Sequence, residues 1–184
     1  MTPRDTTRQQ PSPSAKGQRT SKQTASSDRI IGEVGWDIAA INVHLEDIRR
    51  TWAKALGVSG PQWLILMAIA DLDQGAGVSV GDVSAKINVR SPFVTAETKM
   101  LEKGGFVSRT ASPADGRVVL MSLTEKARKA ITSLAAKRRK LDEAIFADLG
   151  HERLEDFREV LSTIKRRMEK AALQLELDAS KPDV

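Results

Sequence analysis

The stretch SRTASPADGRVVLMSLTEKARKA, residues 108–130, places a turn between two short β-rich runs and then opens a helix. Phe106, Val107, Ser108, Arg109 and Thr110 make the first run, and Arg117 to Leu123 the second. Both favour extended backbone, and ASPADG between them supplies Ser, Pro, Asp and Gly, each of which stabilises a turn by its own route. The pattern predicts a β-hairpin, whose meaning depends on what flanks it.

Downstream, Thr124 can cap a long helix over 124–149, broken at Gly150, and a last helix covers 151–178. Upstream, Ser91 can cap a helix over 91–103 with Pro92 in its first turn, and Gly104 and Gly105 stop it. NVRSP before it is a tight turn. Ahead of that turn, Ser79 and Asp82 have capping-box-like spacing for a short helix ending at Ile87, preceded by the extended run VSV. Two further helices come first. One covers 28–56, with Ile38, Ile41, Leu45, Ile48 and Trp52 on one stripe, and the other covers 61–73. The order helix, helix, short strand, helix, turn, helix, hairpin, helix, helix is that of a winged helix-turn-helix, mainly α, with the hairpin as its wing.

Composition narrows the chemistry. The 184 residues include no Cys, which excludes disulfides, thiolate metal sites and Cys nucleophiles. Two distant His and no phosphate-binding glycine loop leave catalysis without parts, so neither an enzyme nor a cofactor or metal is expected. No apolar run reaches the roughly 18 residues of a membrane span, and the N-terminus lacks the apolar centre of a signal peptide, so a cytoplasmic protein is expected. Residues 1–27, rich in Pro, Ser, Thr and Gln, read as a disordered basic tail, and 179–184 as a flexible end. Between them the chain divides into an N-terminal helix region over 28–60, a winged helix-turn-helix lobe over 61–123 and C-terminal helices over 124–178.

The net charge of +5 is unevenly spread: +4 over 1–27, −3 over 28–81, +8 over 82–140 and −4 over 141–184. A basic segment inside an acidic body suits a polyanion, although a solvated Lys/Arg face would give the same count. In the helix 91–103, Val94, Thr98 and Leu101 turn inward. The opposite face then presents Pro92, Thr95, Ala96, Lys99 and Lys103, which would suit a major groove. Arg90, Ser91, Thr95 and Ala96 are the expected base and phosphate contacts, with Lys99 nearer the backbone and Arg109 in the hairpin beside them. At the hairpin tip, Arg117 could enter a minor groove while Asp115 orients its guanidinium.

These residues carry a family resemblance. VSVGDVSAKINV, VTAETKMLEKGGFVSR and SPADGRVVLMSLTEKARKAI, within residues 28–178, resemble the MarR family of transcriptional regulators. Asp115 and Arg117 fall on the D-x-R positions of its wing, whereas Pro92 and Phe93 stand where many members have Ser or Thr. The resemblance implies a homodimer with paired winged helices on palindromic double-stranded DNA, with 28–60 as an N-terminal dimerisation helix, 61–123 as the DNA-binding lobe and 124–178 as C-terminal helices of the dimer region; a repressor is expected. It also implies a small effector, an aromatic carboxylate or its coenzyme A thioester, held beside the dimer helices. Trp36, His44, Arg49, Trp52, Gln62 and Trp63 are the candidates, and all three Trp of the chain lie among them.

The last helix supports the dimer independently. Leu154, Phe157, Leu161, Ile164, Met168, Ala171 and Leu175 repeat at alternating spacings of three and four, a seam that needs a partner surface. That surface could also belong to the same chain. Two other functions fit the basic face: an architectural DNA-binding protein without an effector, and a helical dimer that binds only protein.

Overall fold

Helix α1 spans Ala15–Leu56, thirteen residues more at its start than the apolar stripe alone predicts. The computed structural model describes the backbone of residues 15–180 and the side chains of 26–180. The tail expected over 1–27 is therefore helical from Ala15 on, while its first fourteen residues and the last four of the chain lie outside the described residues. The extension has a simple cause. No Pro follows Pro13 until Pro61, and adding residues to a nucleated helix is far easier than starting one. Gly57, at φ +72°, ends α1.

The chain divides after Leu123 into two units. In the first, α2 (Gly60–Leu72) starts on a reciprocal cap: the Gln62 N–H donates to Ser59 Oγ at 3.2 Å, and the Ser59 N–H donates to Gln62 Oε1 at 3.0 Å. Its Trp63, Ile65, Leu66, Ala68 and Ile69 are all buried, so α2 is the central helix of the lobe. The C-terminal end of α1 packs on it through Ala53, which is also buried.

Asp73 shapes the next turn by accepting from the Gly75 and Gly77 N–H groups at 2.8 and 2.9 Å. Gly77 has φ +80°, and a Cβ there would lie 3.1 Å from that of Leu120, so this close approach needs glycine. Strand β1 (Val78–Ser79) follows, then α3 (Val80–Ile87), α4 (Ser91–Lys103), β2 (Val107–Ala111) and β3 (Val119–Leu123). The antiparallel sheet has the order β1-β3-β2, with Val78 opposite Met121 and Val107 opposite Leu123. Val83, Val94, Thr98, Leu101, Phe106, Val107 and Met121 complete the core under α2.

In the second unit, Thr124 caps α5 (Glu125–Phe146) by accepting from the Ala127 N–H at 3.2 Å. A single 3₁₀ turn, Ala147–Leu149, leads to Gly150 at φ +68° and then α6 (Gly150–Ala179). Along α6, Phe157, Leu161, Met168 and Leu175 are exposed, and Leu154 and Ile164 are half-buried. Among the described residues no single helix is long and apolar enough to cross a membrane.

Candidate nucleic-acid interface

The pair α3 and α4 is joined by residues 88–90. Asn88 takes the left-handed conformation, φ 54° and ψ 49°, at the end of α3, which lets three residues turn the chain. Ser79 opens α3 by accepting from the Asp82 N–H at 3.1 Å, while its own hydroxyl donates to Asp82 Oδ2 at 2.7 Å. Ser84 closes the turn: its hydroxyl donates to the Val89 carbonyl and accepts from Ser91 at 3.2 Å. Ser91 is thus the first residue of α4, not its cap. Arg90 holds that place, and Ser91 instead ties the two helices together.

Helix α4 buries Val94, Thr98 and Leu101, as the pattern predicts. The Thr98 hydroxyl causes no penalty in the core because it donates to the Val94 carbonyl at 2.8 Å. The opposite face holds Ala96 at its centre. Thr95, half-buried, and Lys99 lie on one flank, and Phe93 and Met100 on the other, with Lys103 beyond. Phe93 and Met100 are 41% and 56% exposed, and neither was among the expected contacts. The missed signal was periodicity alone: both fall outside the Val94–Thr98–Leu101 stripe.

In the wing, the Ser112 N–H donates to the Val118 carbonyl at 2.8 Å and closes the loop. The Val118 N–H donates to the Asp115 carbonyl at 2.9 Å. Asp115 Oδ1 accepts from the Arg117 backbone N–H at 3.0 Å, so this carboxylate shapes the backbone of the tip. Among the described residues it makes no ion pair with the Arg117 guanidinium, contrary to the role expected of it. Arg117 is exposed at the tip, as are Asp115 and Gly116.

Arg109 departs furthest from expectation. Its side chain is only 13% exposed, its NH1 lies 3.8 Å from Glu102 Oε2 on α4, and its buried Nε has no partner. Strand parity explains this. Val107 faces the core, so Arg109, two residues on and opposite the buried Met121, is turned to the same side. It braces the hairpin against α4 instead of facing outward. On α4, the residue before it and the wing, the outward cations are then Arg90, Lys99, Lys103 and Arg117.

The six expected ligand contacts do not share one environment. Trp63 is a core residue, and Gln62 is held in the cap of α2. Trp36 and His44 are exposed on α1; Arg49 and Trp52 are half-buried there, with Arg49 paired to Glu46. Among the described residues no group of three or more His, Asp or Glu could hold a metal ion.

Comparison with known proteins agrees with this architecture. A model of the MarR family matches residues 56–118, from the end of α1 to the wing loop. The chain is 25% identical over 150 residues to the HTH-type transcriptional regulator YdgJ of Bacillus subtilis, covering 76% of this chain and 90% of that protein. It is 32% identical over 120 residues to the HTH-type regulator YfiV of the same organism, covering 65% and 72%. The solved structure of CouR from Rhodococcus jostii RHA1 bound to p-coumaroyl-CoA has the same fold, with a TM-score of 0.63 at 20% identity over 71% of this chain and 90% of that one. With its capped helix pair, outward α4 face and three-stranded wing sheet, the chain belongs to the MarR family of DNA-binding transcriptional regulators.

Proposed function

We propose that the protein is a cytoplasmic homodimeric repressor that sets two copies of α4 in successive major grooves of a palindromic operator and leaves it when a small ligand binds. The observation that carries this reading is the α4 face. Small and apolar residues at the helix start are followed along α4 by the exposed Lys99 and Lys103, and the wing tip adds the exposed Arg117, which suits base edges flanked by phosphates.

The dimer reading draws on exposed apolar residues in two helices. On α1, Ile30, Ile31, Val34, Ile41, Val43 and Leu45 are each at least 42% exposed. On α6, Phe157, Leu161, Met168 and Leu175 are each at least 41% exposed. Apolar stripes of this length are rare on a monomer in water. A second copy would cover them and would place the half-sites about one helical turn, roughly 34 to 36 Å, apart.

For the effector, α1 offers Trp36, His44, Arg49 and Trp52. Flat apolar surface with a nearby cation suits an aromatic carboxylate or its coenzyme A thioester. CouR, solved with p-coumaroyl-CoA, supports that chemical class. Such a ligand must bind the DNA-incompetent arrangement more tightly, since equal affinity for both would shift nothing.

Two experiments test this. In fluorescence anisotropy with the upstream DNA of its own gene, Arg117→Ala is expected to weaken binding across all duplexes and lower the salt slope by about one. Thr95→Ala should cost about 1 to 3 kcal/mol mainly on the preferred site. Equal, salt-labile binding of the native protein to preferred and scrambled duplexes would instead favour the architectural role. Separately, one member of a panel of aromatic acids and their coenzyme A thioesters should quench Trp fluorescence and release the duplex. A panel with no response removes the effector.

A further inference from the structure

Phe93 is the third residue of α4, on the turn of a recognition helix that reaches deepest into a major groove. It is 41% exposed, and the solvent-facing ridge continues through Ala96 to Met100, 56% exposed. Exposed aromatic surface is unfavourable in water and favourable against an apolar partner. This part of the helix is also poor in the side chains that read bases by hydrogen bonds. It has no Asn or Gln for adenine, and the Ser91 hydroxyl is turned to Ser84. Cations flank the ridge, Lys99 and Lys103 on α4 and Arg90 before it, so the surface that would meet these apolar groups is polyanionic.

A duplex displays one apolar group in its major groove, the 5-methyl of thymine, and Ala and Phe side chains can make apolar contact with it. We infer that this helix selects its sites by thymine methyl groups, with Phe93 and Ala96 as the contacting residues. Ala96, at the centre of the outward face, projects only a methyl and lets the helix approach the base pairs closely. Phe93 then lies along the groove and covers the methyl of a neighbouring step. Arg90 and Lys99 supply the phosphate attraction that holds the helix there. The inference rests on α4 being the helix that enters the groove.

The test starts with selection of binding sites from a random duplex library by the full chain. The best site is then synthesised with deoxyuridine in place of each thymidine in turn, which deletes one methyl and keeps the base pairing. Burial of one methyl corresponds to about fourfold in affinity. Substitution at the contacted thymine should therefore weaken binding about fourfold, and at its symmetry mate about fourfold again. Phe93→Ala should remove the difference between thymine and uracil at its position while leaving the salt dependence unchanged. Selected sites that bind uracil-containing duplexes as tightly at every position would overturn the inference and leave the operator reading intact. A library that yields no preferred site would overturn both.

Discussion

Leu161→Asp is expected to leave the chain folded but monomeric, with operator affinity lower by roughly 10²- to 10⁴-fold, because the second half-site is then no longer bound at a high effective concentration. Leu161 lies mid-way along α6, 41% exposed, between Phe157 and Ile164 on the spaced apolar stripe. A carboxylate there would have to be desolvated against the partner's apolar surface, a penalty no side chain on the stripe offsets. In the single chain the same carboxylate stays in water, so helix content by circular dichroism should not change. Sedimentation velocity reads the assembly and anisotropy the affinity. A variant that remains dimeric and binds its site normally would remove α6 from the interface and return the stripe to packing within its own chain.

Leu101→Ala is the second large effect, and it acts on the support of the recognition helix. Leu101 is 1% exposed beneath the C-terminal half of α4. Truncation leaves a cavity and should cost about 2 to 5 kcal/mol, which for a chain of this length lowers Tm by about 2 to 4 °C per kcal/mol. Thr98→Val, one turn earlier and equally buried, should change stability by less than about 1 kcal/mol. The hydroxyl it deletes donates to a carbonyl that already accepts a helical bond, so no buried donor is stranded. Thermal melts of the two variants compare volume with polarity at neighbouring sites. Equal losses would mean that the hydrogen bond to Val94 matters as much as the packing volume.

Much of this architecture can be read from short strings. The hairpin follows from turn chemistry between two β-rich runs, and the starts of α3 and α5 follow from Ser79 and Thr124, each a side chain acting within three residues of itself. The buried stripe of α4 follows from a spacing that one turn of helix makes unavoidable. Ser91 shows the limit of such reading. Its sequence neighbours make it a plausible cap, but Ser84 on the preceding helix lies close enough to engage its hydroxyl. Asp115 shows another, since its carboxylate bonds a backbone N–H two residues away and not the charged group beside it.

The sequence by itself therefore determined the helices, strands and turns from residue 28 on, which helix face is apolar, and that basic charge gathers over 82–140, because each depends on neighbours a few residues apart; it missed the helical backbone of 15–27, which has no apolar stripe to announce it. Tertiary structure decided which of those charges face outward. Arg109 and Arg117 are both basic hairpin residues, but pairing β2 to β3 sets Arg109 opposite Met121 and brings Glu102 of α4 toward it, whereas Arg117 projects from an exposed tip. Those contacts join segments distant along the chain, and only their packing distinguishes a brace from a surface charge.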